Sequence, residues 1–155
     1  MATQCAMTEK SGTHAAAAET GTAPYGSLNI ELAPERYSLV RLAAGSEIPA
    51  WATGQFLSVI RSAEEVSVIC RSSAVPDGAE RLDDLRYLKA VGPFGLDSVG
   101  GIAAIAHPVA SAGISLFLVS SWSTDHFFIV NEDLPRALNA LAGAGHQVKA
   151  AASLD

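Results

Sequence analysis

Between Leu85 and Ala150 the spacing of apolar residues keeps switching between the two-residue repeat of a strand and the roughly 3.6-residue repeat of a helix. LRYLKAV (85–91) alternates, with Leu85, Tyr87 and Lys89 facing one way and Arg86, Leu88 and Ala90 the other. After a Gly/Pro loop at 92–97, the spacing predicts a helix over 98–112, with Val99, Ile102, Ala106 and Val109 as its apolar stripe. Asp97 or Ser98 is its expected cap, Pro108 removes one of its ladder bonds, and Gly113 ends it. ISLFLVSS (114–121) and HFFIV (126–130) read as strands around a turn at 122–125. A second helix over 132–142 buries Leu134, Ala137, Leu138 and Leu141, and 146–150 makes a last edge strand. The order is β-α-β-β-α-β, the ferredoxin-like plan. Two helices stacked on one face of an antiparallel sheet bury every one of these stripes, so the expected class is α+β.

The first half carries the same plan with reduced helices. LNIEL (28–32) and YSLVRL (37–42) read as two strands broken at Ala33-Pro34-Glu35-Arg36. FLSVIRS (56–62) and VSVICR (66–71) form a hairpin about Ala63-Glu64-Glu65, and Val75-Pro76-Asp77-Gly78 is a turn. The expected organisation is a disordered tail over 1–25, a first unit over 26–84 and a second over 85–150. The residues leave open whether the first half closes a full sheet or whether strand 28–32 pairs with the second unit. Aromatics are 6% of the 155 residues against 49% hydrophobic, so the core is expected from Val, Ile and Leu. Units this small are marginal alone and are expected to share a sheet or a dimer face.

Several chemistries are excluded at this level. A net charge of −6 gives no basic footprint for nucleic acid. No apolar run reaches the length of a membrane span. Gly95 to Gly100 imitates the glycine spacing of a phosphate loop, but Gly101 and Ile102 stand where Lys and Ser or Thr are required. His14, His107, His126 and His146 have no second ligand at metal spacing, and His146 is expected to be solvated. Cys5 and Cys70 are two isolated thiols; Cys70 reads as a buried hydrophobe. No nucleophile elbow or Cys/His pair stands out. The expectation is a cytoplasmic protein without cofactor, metal or catalytic residues.

The segment AIAHPVASAGISLFLVSSWSTDHFFIVNEDLPRAL (104–138) resembles the ACT domain family, the small βαββαβ ligand-sensing modules. Pro108 in the helix, Ala112-Gly113-Ile114-Ser115 at its end, the Ser120 to His126 turn and Glu132-Asp133-Leu134 carry the likeness. The first half agrees through 35–42, 56–59 and 66–76. More narrowly, the chain is similar to two-ACT proteins grouped with the CASTOR arginine sensors and their small bacterial relatives. The resemblance implies tandem ACT units and an amino acid bound at an ACT–ACT interface, largely by backbone. The loop Gly95, Leu96, Asp97, Ser98 and Gly100 would offer backbone and a helix N-terminus to a carboxylate. Ser115 and Leu116 match the second-strand contacts, and Trp122, Ser123, Thr124 and Asp125 match the turn that closes over the ligand side chain.

The arginine sensors have four such units and this chain two, so a comparable site implies a homodimer. Trp122 also stands where the bacterial pattern carries Tyr. Two other readings accompany the sensor: an interaction module that kept the fold without the pocket, and a regulatory subunit of an amino-acid-pathway enzyme such as an aspartate kinase.

Overall fold

The computed structural model of the chain describes residues 26–92 and 99–151. The expected tail, including Cys5 and His14, lies outside them. A seven-stranded sheet runs through both halves, with strands β1 (Asn29–Ala43), β2 (Ser58–Arg61), β3 (Glu65–Arg71), β4 (Arg81–Ala90), β5 (Phe117–Ser120), β6 (Asp125–Val130) and β7 (Gln147–Ala150). Helices α1 (Gly101–Ser111) and α2 (Leu134–Gly143) belong to the second half. The first half shows one 3-10 turn, Ser72–Ala74, and no α-helix among the described residues. The class is α+β, as the polarity pattern indicates.

β1 organises the sheet. The order is β2-β3-β1-β4-β6-β5, and β7 lies parallel to Asn29–Leu32 on the side where β3 later takes over at Tyr37. The first part of β1 thus stands between β4 and β7, in the gap that a self-contained ferredoxin-like unit would close by direct pairing. Strand 28–32 does pair with the second unit, which settles the alternative the sequence leaves open.

The expected break at 33–36 is a bulge inside one 15-residue strand. From Leu32 to Arg36 the chain advances four residues on β1 against two on β4, and neither β7 nor β3 pairs with this stretch. Pro34 lacks a backbone N–H, and here none is required. A second irregularity adds one residue on β4 at Asp84, whose φ of 59° is a conformation Asp tolerates and whose carboxylate pairs with Arg36 at 2.9 Å.

The two faces of the sheet carry different cores. Ile30, Leu88, Ala90, Phe127 and Ile129 point to the helices and pack on Ile105, Val109, Ala137 and Leu141. On the other face Tyr37, Leu85 and Phe128 form a second cluster, with Phe56 and Tyr87 packed on it. Val40, Val66, Val68 and Cys70 make a third at the first half's end, so Cys70 is the buried hydrophobe its sequence context implies.

Helix α1 differs from its expected bounds. It begins at Gly101, because Gly100 at φ 90° holds the N-cap position and carries no capping side chain. Its buried residues are Ala104, Ile105 and Val109, while Val99 and Ile102 are exposed. Of the expected stripe Val109 meets the sheet, and its partner is Ile105 four residues earlier, not Ile102 or Val99. α2 buries Leu134, Ala137 and Leu141 as its pattern requires. β5 starts at Phe117, not Ile114, which is used instead to close the α1 C-terminus through its N–H to Val109 O (3.2 Å).

Candidate ligand-binding site

One end of the second unit gathers the last residue of β4, the start of α1 and the β5–β6 turn. Thr124 fixes the turn: it is buried, and its hydroxyl donates to the Ala90 carbonyl. Ser121 N–H donates to Thr124 O at 2.8 Å, and Ser121 Oγ donates to the same oxygen at 2.9 Å. Asp125 follows at the start of β6. Its Oδ1 accepts from Ser120 Oγ at 2.6 Å, and its Oδ2 lies 3.9 Å from where a Cβ on Gly101 would stand.

A carboxylate is therefore held beside the first turn of α1. The intrahelical ladder starts with Ala104 N–H on Gly100 O (2.9 Å), leaving the N–H groups of Gly101, Ile102 and Ala103 outside it. These groups and the helix dipole favour negative charge. The same end shows Val91, Val99, Ile102 and Trp122 as exposed apolar side chains, Trp122 at 82%. First-turn N–H groups without a partner among the described residues, one carboxylate and a large ring suit a small molecule that carries an anion, a cation and some apolar surface.

The expected site residues divide. Gly100, Trp122, Ser123, Thr124 and Asp125 come together at this end, although Thr124 is spent on Ala90 and Ser123 is an exposed turn residue. Ser115 and Leu116 follow the other end of α1, ahead of β5, so about 16 Å of helix separates them from Gly100. They are loop residues, not strand residues as expected. Gly95, Leu96, Asp97 and Ser98 lie outside the described residues.

Behind the turn runs a side-chain chain that the sequence reading missed. Tyr87 OH and His126 Nδ1 are 2.8 Å apart, and His126 Nε2 is 3.1 Å from Ser121 Oγ. Because Ser121 gives its proton to Thr124 O, it accepts from Nε2–H, and Nδ1 then accepts from the Tyr87 hydroxyl. Burial, then Lys89, pushes the His126 pKa down, and burial pushes Tyr87 up to about 12, which suits a neutral pair. The polarity is the reverse of a base-activated serine, whose proton must go to the imidazole. His146, expected to be solvated, is buried: it accepts from Leu28 N–H at 3.2 Å and bonds Ala104 O at 2.9 Å, tying β1 to α1. Among the described residues no three His, Cys, Asp or Glu side chains cluster to hold a metal, and no helix is long and apolar enough to cross a membrane.

Comparison with known proteins bears on the fold. An ACT domain model matches residues 80–143, and a model described as an N-terminal domain matches 35–78. The solved structure of protein Atu0741 from Agrobacterium tumefaciens is similar at 30% identity and a TM-score of 0.77, over 82% of this chain and 96% of that one. The regulatory subunit of aspartate kinase from Thermus flavus shares the fold at 16% identity and a TM-score of 0.54, over 75% and 96%. Aspartate kinase from Clostridium acetobutylicum does so at 10% identity and 0.58, over 82% of this chain and 36% of the enzyme. No curated protein matches the sequence.

Proposed function

Because the chain belongs to the ACT domain family, we propose that it is a non-catalytic regulatory module that senses an α-amino acid at an interface between two copies. The single observation that carries this reading is the Asp125 carboxylate standing beside the first turn of α1, where Gly100 supplies no capping side chain. An α-amino acid has complementary groups: its ammonium for Asp125 Oδ2, its carboxylate for the N–H groups of Gly101 to Ala103. Trp122, at 82% exposure, supports a second copy as the cover, since a ring left in water on a single chain is buried when another chain closes over it. Gly95 to Ser98, leading into this turn, belong to the same proposed site. Ser115 and Leu116 join it only if the second copy brings its own α1 C-terminus there.

Ligand binding would favour one dimer geometry by no more than its difference in affinity for the two. The test is a thermal-shift series against the twenty amino acids, followed by calorimetry. A ligand at 100 times its dissociation constant stabilises the fold by about 2.7 kcal/mol. Asp125→Asn should weaken that ligand by roughly tenfold or more, as loss of a charged hydrogen bond does. No stabilisation by any amino acid at millimolar concentration would defeat the sensing reading.

A second reading is favoured by one observation: a free-standing regulatory subunit of aspartate kinase is matched over 96% of its length. Under it, the chain serves as a separate regulatory subunit of an amino-acid-pathway enzyme. Co-purification of such an enzyme with the tagged full chain would select it.

A further inference from the structure

One segment of the first half is fastened to the second half through a single ring. Residues 53–57 form no helix or strand, and four of the five are exposed. Their backbone tie is the hydrogen bond from Arg71 N–H to Thr53 O at 3.2 Å. Phe56 is the half-buried exception. Its ring centre lies 4.7 Å from that of His126, 5.1 Å from Tyr87 and 5.2 Å from Phe128. The segment thus docks on the sheet face opposite the helices by laying Phe56 against an imidazole.

That imidazole is arranged for its neutral form. Ser121 gives its proton to Thr124 O and accepts from Nε2–H, so Nδ1 has to accept from Tyr87. A proton on Nδ1 would meet the Tyr87 hydrogen, and Tyr87 makes no other hydrogen bond among the described residues. The surrounding charges do not favour a cation either. Lys89 stands directly across the β4–β6 ladder from His126, and Glu31 on β1 lies beyond Lys89 in the same row. Asp125, the next residue on β6, points to the opposite face beside α1, as strand alternation requires. From β5 the facing residue is the uncharged Val119, and residues 53–57 bring no charge. Among the described residues no carboxylate is within ion-pair distance of His126. Burial, then Lys89, accordingly holds its pKa below the ordinary 6.5 against the opposite pull of Asp125.

A charged imidazole needs water, and only one part of its cover is free to move aside. Tyr87, Lys89 and Phe128 are held in the β4–β6 ladder, whereas Phe56 rides on an irregular, exposed segment. We propose that protonation of His126 undocks Phe56 and residues 53–57 with it, so that the fold carries an acid-opened clasp between its two halves. The clasp is shut above about pH 6.5 and opens as pH falls below that value, because the open form binds the proton more tightly. It needs no ligand at the Asp125 turn and so goes beyond the sensing reading.

NMR of the full chain between about pH 8 and pH 5 reads the clasp directly. The His126 ring titration gives one midpoint, and the Arg71 amide reports the segment through its bond to Thr53 O. Corrected for the intrinsic pH dependence of exchange, Arg71 protection should fall by up to about tenfold per pH unit on the acid side of that midpoint. The Phe56–His126 ring contacts should fade with it. Lys89→Met removes a like charge, and Tyr87→Phe removes the hydroxyl that stabilises neutral Nδ1. Each should therefore move the ring midpoint and the segment midpoint together to higher pH, a shift that a purely structural imidazole would not produce. His126→Gln, confirmed as folded by circular dichroism, should abolish the pH dependence, and Lys89→Met carries the test alone if that variant does not fold. Three results would overturn the inference: Arg71 protection that stays flat while His126 titrates, the same acid-induced loss in folded His126→Gln, or an imidazole still neutral at about pH 5.

Discussion

Two residues, Thr124 and His126, set the behaviour of the β5–β6 turn. Thr124 spends its hydroxyl on Ala90 O in a buried position, so Thr124→Val keeps the shape and removes the bond. It should destabilise the fold by about 1–3 kcal/mol, the cost of leaving a buried carbonyl unsatisfied, measured as a lower urea midpoint. His126 makes stability depend on pH. Its folded pKa lies below the ordinary 6.5, so the unfolded chain binds the proton more readily. Its contribution is complete above about pH 6.5 and is lost as pH falls from there towards the folded value. The melting temperature should therefore drop between pH 7.5 and 5.5, and the slope should flatten in His126→Gln. A slope unchanged by that substitution would assign the effect elsewhere. The imidazole was legible in the sequence only as the start of a strand. Its partners, Tyr87 and Ser121, come from a strand 39 residues away and from the turn just before it.

Among the elements, α1 and β1 separate what local pattern reveals from what it cannot. The second helix and the β2–β3 hairpin are readable from a single apolar face each, and β4 from an alternation that assigns Leu85 and Tyr87 to one core and Leu88 and Ala90 to the other. For α1 the spacing points to Val99, Ile102, Ala106 and Val109, and of these Val109 is buried. Its buried companion is Ile105, which packs with it against the Leu88 and Phe127 face of the sheet, something the spacing alone does not show. Ile105→Ala should accordingly cost about 2–5 kcal/mol by thermal or urea unfolding, whereas Ile102→Ala should fall within about 0.5 kcal/mol of wild type. In β1, Pro34 reads as a breaker because sequence shows the missing N–H but not that both neighbours leave it unpaired.

For the whole molecule, the shared strand decides independence. With β1 between β4 and β7, a fragment spanning 80–151 has two strands separated by an empty lane of unpaired N–H and C=O groups, and its apolar face loses Ile30. Such a fragment should give collapsed amide dispersion in NMR and aggregate, even though it contains a complete β-α-β-β-α-β order. A peptide covering 26–43 added to it should recover part of the dispersion. The polarity pattern revealed the order of elements in that unit but not its dependence on a strand formed some fifty residues earlier, because pairing across the ladder leaves no local trace.

That same strand arrangement has a mechanical side. β1 and β7 run parallel and are joined from the Gln147 N–H on Leu28 O to the Ala151 N–H on Leu32 O. Force applied at the N-terminal end of β1 and the C-terminal end of β7 pulls the two strands past each other along their length, so their hydrogen bonds bear the load together instead of opening one after another. The sheet is thereby latched in shear between its first and last strands. A tug transmitted along the chain through those strands therefore meets several hydrogen bonds at once.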